Sequence, residues 1–93
     1  MRPVVLAPGA PVDDAWATAR TPAQTAELAR SGVTVLVTLP ADLDAALAAA
    51  SVHCWLGARV FVTEHTAQVR LALDMTESLA GRRPPTLTRR GLA

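Results

Sequence analysis

The sequence has few of the residues that most often carry chemistry or brace a small fold. It contains no lysine, one cysteine and only three aromatic residues, which are Trp16, Trp55 and Phe61. The single Cys54 excludes an internal disulfide framework and is typical of a reducing compartment. No apolar run approaches the length of a membrane span, and none near Met1 is long enough for a signal peptide. We therefore expect a cytoplasmic protein whose core depends on Val and Leu packing.

Charged residues are also sparse, and the positive ones are unevenly placed. All nine basic residues are arginines, and the net charge of the 93 residues is +1. Four arginines lie in the last twelve residues, which contain no acid, and without those four the net charge is −3. A mildly acidic body with a short basic tail is not the profile of a nucleic-acid-binding protein. We predict one domain over residues 1–81 and an Arg/Pro-rich tail over residues 82–93, with neither nucleic acid nor membrane as a partner.

Short apolar runs alternate with stretches of helical spacing. Alternation and turn residues predict strands at residues 4–6, 33–39 and 59–63, with a loop over residues 10–20. Helices are predicted between these strands and after the last one, with Thr21 and Asp42 as N-caps and Gly32, Gly57 and Gly81 as helix ends. The order strand, helix, strand, helix, strand, helix indicates parallel strands joined by right-handed crossovers. The predicted fold class is α/β, with three consecutive βα units.

The residues themselves resemble a known family. The strings WLGARVF at 55–61, SLAG at 78–81 and RRGLA at 89–93 are similar to the C-terminal end of the dihydropteroate synthases and their paralogues, which are pterin-binding barrels. In the first half, VVLAPG at 4–9 resembles a family strand that ends in Asp-Pro-Gly, and SGVTVLV at 31–37 resembles the start of the next strand. The resemblance implies that the chain matches the last three units, strands six to eight, of a TIM (β/α)8 barrel.

The resemblance also implies a degraded site, because such barrels carry their chemistry at the C-terminal ends of the strands. The Asp that binds the pterin ring in the family is replaced by Ala7. The Arg and His of the family's Arg-Val-His-Asp motif, which bind pyrophosphate, are replaced by Val62 and Glu64. Losing two donors and gaining a carboxylate removes the stabilisation of developing pyrophosphate charge. We therefore expect no catalytic residue and no cofactor in this chain.

The polar residues offer two further hypotheses. His65 could be a shifted remnant of the family's His and hold an anion at the positive end of the last helix, although helix capping by Thr63 or Glu64 is the simpler interpretation. His53, Cys54, Glu64 and His65 match no zinc-ligand spacing. We expect no metal site, with Cys54 packed on a helix face and His53 exposed to solvent.

Trp55, late in the second helix, is predicted to be a packing anchor, because indoles are favoured in interfaces. The resemblance implies dimerisation through helices at this end of the barrel. The predicted interface residues are Leu47, Trp55, Leu73 and Met75. A barrel arc would also expose an inward face and two strand edges, which favour association. That inward face is predicted to consist of Val5, Thr34, Leu36, Thr38, Val60 and Val62.

These observations lead to a main hypothesis and two others. The main one is a non-catalytic, synthase-like subunit, related to folate and pterin metabolism, that forms a homo-oligomer or a hetero-oligomer with a full-length synthase-like protein. The alternative is residual dihydropteroate synthase or pterin-binding activity, completed by a partner chain. The third is a decayed fragment without a selected role.

Overall fold

Four parallel strands form one sheet in the order β1-β4-β3-β2. The computed structural model describes residues 2–82, so the predicted tail beyond Arg82 lies outside the described residues. The strands are β1 (Val4–Leu6), β2 (Ala17–Thr18), β3 (Val35–Thr38) and β4 (Val60–Val62). The helices that follow the last three strands are α1 (Pro22–Arg30), α2 (Leu43–Trp55) and α3 (Thr66–Leu79). The prediction of an α/β fold with three consecutive βα units and parallel strands is confirmed.

The strand of the first βα unit is β2, not β1. The backbone N–H groups of Ala17 and Ala19 donate to the carbonyls of Thr34 and Leu36 at 2.9 and 3.0 Å, which pairs β2 with β3. The prediction of a loop over residues 10–20 is wrong here, because a two-residue strand is too short to show an alternating pattern. The strand β1 lies instead at the opposite edge of the sheet, beside β4. In a closed barrel, the position next to the last strand belongs to the first strand.

The helices begin at the predicted N-caps. The Thr21 hydroxyl accepts the N–H of Gln24 at 3.1 Å, and the Asp42 carboxylate accepts the N–H of Ala45 at 2.9 Å. The Gln24 side chain reaches back to accept the N–H of Arg20 at 2.7 Å, one residue before the partner of an ordinary capping box. Within residues 2–82, no helix is long and apolar enough to cross a membrane.

Small residues allow the helices to pack closely. Ala46 and Ala50 of α2 are fully buried. Gly57, which follows α2, has a φ of 112°, and a Cβ there would lie 2.7 Å from the Cβ of Ala29 in α1. Glycine is therefore required at this position both by the backbone conformation and by the approach of α1.

All three helices cover one side of the sheet. Val35, Val37 and Phe61 point to that side and form the core with the buried faces of α2 and α3. Val5 is opposite Phe61 in the register and packs against the same core, so its predicted place on the inward face is wrong. Because side chains alternate along a strand, the two neighbours of Val5 in β1 take the inward face instead.

The other side of the sheet carries none of these helices and faces the centre in a closed barrel. Leu36 and Val60 in the middle of this side are buried, whereas Val4, Leu6 and Val62 are half-buried. The edge strands β1 and β2 contain only three and two residues, which limits their ability to pair with another sheet edge.

A buried carboxylate fastens α2 to α3 beside the amino end of β4. Glu77 is 4% exposed, its Oε1 accepts from Arg59 Nη1 at 3.0 Å, and its Oε2 accepts from Arg82 Nε at 2.8 Å. Both guanidinium groups also donate to the carbonyl of Cys54 in the last turn of α2, at 3.1 and 2.8 Å. Burial opposes the ionisation of Glu77, but the hydrogen bonds from Arg59 and Arg82 outweigh it and lower the pKa to about 2. We call these four residues the Glu77 cluster.

We expect the Glu77 cluster to make stability depend on pH in the acid range. The pKa of Glu77 is about 2 in the folded chain against an ordinary 4.5, so its contribution is complete above pH 4.5 and is lost as the pH falls toward 2. Glu77→Gln should lower the free energy of unfolding by about 3 kcal/mol at neutral pH, because two guanidinium groups lose their anion. Urea unfolding at neutral and acid pH measures both effects, with Glu27→Gln on the exposed side of α1 as the control. An unchanged acid dependence in Glu77→Gln would contradict this assignment.

Candidate functional site

The carboxyl ends of β1 and β4 lie side by side and bring the predicted site positions together. Leu6 is opposite Val62 in the register, and the N–H of Thr63 donates to the Leu6 carbonyl at 2.9 Å. Ala7 therefore lies next to the β4–α3 loop, which carries Glu64. The carboxyl ends of the strands are the end of the sheet at which βα barrels carry their catalytic residues.

At this end of the sheet, the three predicted site positions provide neither hydrogen-bond donors nor positive charge to an anionic substrate. Val62 lies on the helix-free side of the sheet, opposite Thr38 and Leu6, and presents only methyl groups. Ala7 and Glu64 are exposed, and the Glu64 carboxylate repels an anion such as pyrophosphate. Stabilising a developing anion requires positioned donors or cations, which these three positions do not supply.

The position of Ala7 in the sheet contradicts its predicted match to the pterin-binding Asp of the family. Matching residues 4–9 to the family's Asp-Pro-Gly strand requires that strand to lie beside β3, on the side away from β4. The sheet has β2 in that position and β1 beside β4. The assignment of Ala7 as the replaced pterin ligand is therefore wrong in position, whereas the assignments of Val62 and Glu64 depend on β4 alone.

His65 connects two loops at the same edge. Its Nε2 lies 2.6 Å from the carbonyl of Ala41 in the β3–α2 loop, so the ring carries a proton on Nε2 and donates it. Its backbone N–H donates to the Thr63 hydroxyl at 3.0 Å, and His65 itself, rather than Thr63 or Glu64, is the N-cap residue of α3. The residual anion site at His65 stays a prediction.

His53 and Cys54 face different surroundings. The His53 ring is 6% exposed and its Nδ1 lies 2.7 Å from the Thr25 hydroxyl, so its predicted exposure is wrong because α1 packs over this part of α2. The Cys54 thiol lies inside the Glu77 cluster, with Sγ 3.5 Å from Glu77 Oε2. Burial raises the pKa of this thiol. Within residues 2–82, no group of three or more His, Cys, Asp and Glu side chains is placed to hold a metal ion.

Exposed apolar side chains line a groove of about 470 Å³ between α2 and α3. Trp55 is 55% exposed, Met75 is 67% exposed and Leu79 is 74% exposed, and Val52 lies beside them. We call these four residues the groove face. The rest of the lining consists of Ser51, Leu56, Ala72 and Thr76. None of the residues within 2–82 that line the groove carries a charge.

The groove face contains two of the four predicted interface residues, Trp55 and Met75. Leu73 is fully buried in the core, so its assignment to the interface is wrong. Leu47 is half-buried, packs against the core and does not line the groove. Leu79 was not among the predicted interface residues. Its position four residues after Met75 is the signal that indicates the shared exposed stripe.

Curated relatives of the chain carry the name inactive dihydropteroate synthase 2. The protein of that name from Mycobacterium tuberculosis is 44% identical over 62 residues, which are 67% of this chain and 20% of that protein. The protein from Mycobacterium leprae is 40% identical over 62 residues, which are 67% of this chain and 21% of that protein. The chain thus spans about a fifth of the length of the curated relatives it matches. No protein-family model matches it.

A solved structure supports the same relationship at the level of the fold. The structure of Mycobacterium tuberculosis Rv1207 is 37% identical to the chain and superimposes with a TM-score of 0.62, over 70% of this chain and 28% of that one. The sheet has the parallel βα units that the resemblance implies. The chain is a degenerate dihydropteroate-synthase-like protein.

Proposed function

We propose that this chain is a non-catalytic, synthase-like subunit that associates with a second copy of itself through the groove face. The observation that carries the proposal is the exposed, uncharged groove face between α2 and α3. At the carboxyl end of β4, Val62 and Glu64 supply neither a donor nor a cation for an anionic substrate. Association is therefore the activity that the described residues support best.

The absence of catalysis is supported by the residues at the end of β4. Val62 and Glu64 provide neither the hydrogen-bond donor nor the positive charge that pyrophosphate displacement requires. The mycobacterial relatives carry the word inactive in their names, which describes those proteins. The lack of a donor or cation at Val62 and Glu64 leads to the same expectation for this chain.

The groove face has the composition of an interface core. Large apolar side chains exposed together mark association sites, and Trp and Met are enriched in interfaces. A partner that placed charges against this groove would lose their hydration without gaining a counter-charge. A second copy presents the same uncharged surface, and two-fold pairing of one surface with itself is the commonest form of oligomer. In such a pair, Trp55 and Met75 of each copy can enter the groove of the other.

The groove is formed before any partner arrives, because the Glu77 cluster holds the ends of α2 and α3 together. A preformed surface loses less conformational freedom on association than a mobile one. A cytoplasmic location is part of the proposal and is supported by Cys54, a free thiol buried in the core.

We expect the chain to bind no dihydropterin pyrophosphate. Calorimetric titration should show no saturable heat at concentrations at which a catalytically active synthase, as the positive control, is saturated. The reason is the loss of donors at Val62 and Glu64. Saturable heat would instead support residual pterin binding and contradict the non-catalytic assignment.

We expect sedimentation equilibrium to give twice the chain mass of 9.7 kDa at micromolar concentration. Trp55→Ala should weaken the dimer about 1,000-fold, because it removes one central Trp from each copy and each contributes about 2 kcal/mol to the interface. Met75→Asp should give a monomer, because it places an unpaired charge in the interface.

The matched controls are Val12→Ala and Val12→Asp, since Val12 is an exposed apolar residue in the β1–β2 loop, which does not line the groove. Both should leave the dissociation constant unchanged. A monomeric wild-type chain, or groove variants that dimerise normally, would contradict the proposal. If the chain is monomeric alone but binds a full-length synthase-like protein through Trp55, then that protein, and not a second copy, is the partner.

A further inference from the structure

A second cavity, of about 400 Å³, lies at the carboxyl ends of β2 and β3. Ala19 and Val37 form its floor and belong to the core on the helix side of the sheet. The helix α2 contributes Ala49 and His53. The exposed residues at its mouth are Thr18, Arg20, Thr38 and Pro40. The cavity is therefore separate from the edge between β1 and β4 and from the groove face.

His53 contributes a buried polar atom to this cavity. Its Nδ1 is bonded to the Thr25 hydroxyl at 2.7 Å, and Thr25 does not line the cavity. The ring edge that borders the cavity is therefore the one that carries Nε2. No group within residues 2–82 forms a hydrogen bond with Nε2. Because buried polar atoms almost always have a partner, this nitrogen indicates an occupant that supplies one.

Arg20 contributes a positive charge at the mouth. Its guanidinium forms no ion pair with the Asp and Glu side chains of residues 2–82. The bond from its backbone N–H to Gln24 Oε1 fixes the backbone at the start of α1. An arginine fork suits a carboxylate, because its paired N–H donors match the two carboxylate oxygens. The floor between Arg20 and His53 is apolar.

We propose that this cavity binds a small organic acid whose carboxylate pairs with Arg20 and whose far end hydrogen-bonds to Nε2 of His53. The short carbon chain of the acid lies against Val37 and Ala49. Burial lowers the pKa of His53, so the ring is neutral near pH 7 and can donate to a carbonyl or accept from a hydroxyl, according to its tautomer. This inference does not rest on the proposed self-association.

Imidazole NMR signals provide the test, because the chain contains two histidines, and His65 serves as the internal reference for His53. The probes are γ-hydroxybutyrate and butyrate, which differ in the terminal hydroxyl, and inorganic phosphate. We expect γ-hydroxybutyrate to shift the His53 signals saturably at millimolar concentration and to leave those of His65 in place. Butyrate, which lacks the hydroxyl, should bind about tenfold more weakly.

The exposed position of Arg20 makes Arg20→Ala a variant that keeps the fold. It should weaken binding of γ-hydroxybutyrate about tenfold or more, and Arg20→Lys should weaken it less, because the charge is kept but the fork is lost. Arg30→Ala, which removes an exposed arginine from the end of α1, is the matched control and should change nothing. An absent His53 shift, equal affinity in Arg20→Ala, a shift confined to His65, or equal affinity for phosphate would each overturn the proposal.

Discussion

The buried carboxylate of Glu77 holds α2, α3 and the start of β4 in place through Arg59 and Arg82. A buried carboxylate is costly unless it is paired and hydrogen-bonded, and Glu77 receives donors from both Arg59 and Arg82. The remaining donors of these arginines reach the carbonyl of Cys54 at the end of α2. One ionised group therefore fixes α3, the start of β4 and the end of α2 relative to one another. The groove face is the outer surface of this fixed pair of helices.

The two ends of the strands have different characters. At the amino end of β4, Arg59 and Glu77 form a complete set of charge-assisted hydrogen bonds. At the carboxyl end, Val62 is apolar, Glu64 is exposed and the His65 ring is bound to the Ala41 carbonyl. In βα barrels the amino ends of the strands serve stability and the carboxyl ends serve chemistry. In this chain, the charge-assisted contacts lie at the amino end of β4, whereas Val62 and Glu64 at its carboxyl end supply neither a donor nor a cation.

Local signals in the sequence were sufficient for much of the fold. The alternation of side chains along β3 and β4 predicted the two faces of these strands. Short polar residues predicted the N-caps at Thr21 and Asp42. The position of β1 beside β4 could not be predicted in this way, because strand order depends on pairing between residues far apart in sequence. The strand β2 is too short to leave any pattern.

The candidate sites were predictable only in part, for a related reason. Helical spacing shows which residues share a face, but not which neighbouring element covers that face. The helix α2 is rich in alanine and has no single apolar stripe. Its residue pattern therefore did not indicate that α1 buries His53. Trp55 could be recognised from its residue type alone. Its meeting with Met75 and Leu79 across a groove required the packing of α2 on α3.

We propose that two copies meet at the groove face. Hydrogen exchange followed by mass spectrometry can locate this contact, with the chain held well above and well below the dissociation constant of the dimer. We expect slower exchange on association in residues 51–56 and 72–79, with β1 and β2 unchanged. Slower exchange confined to β1 and β2 would contradict it, because the copies would then pair through the open edges of the sheet.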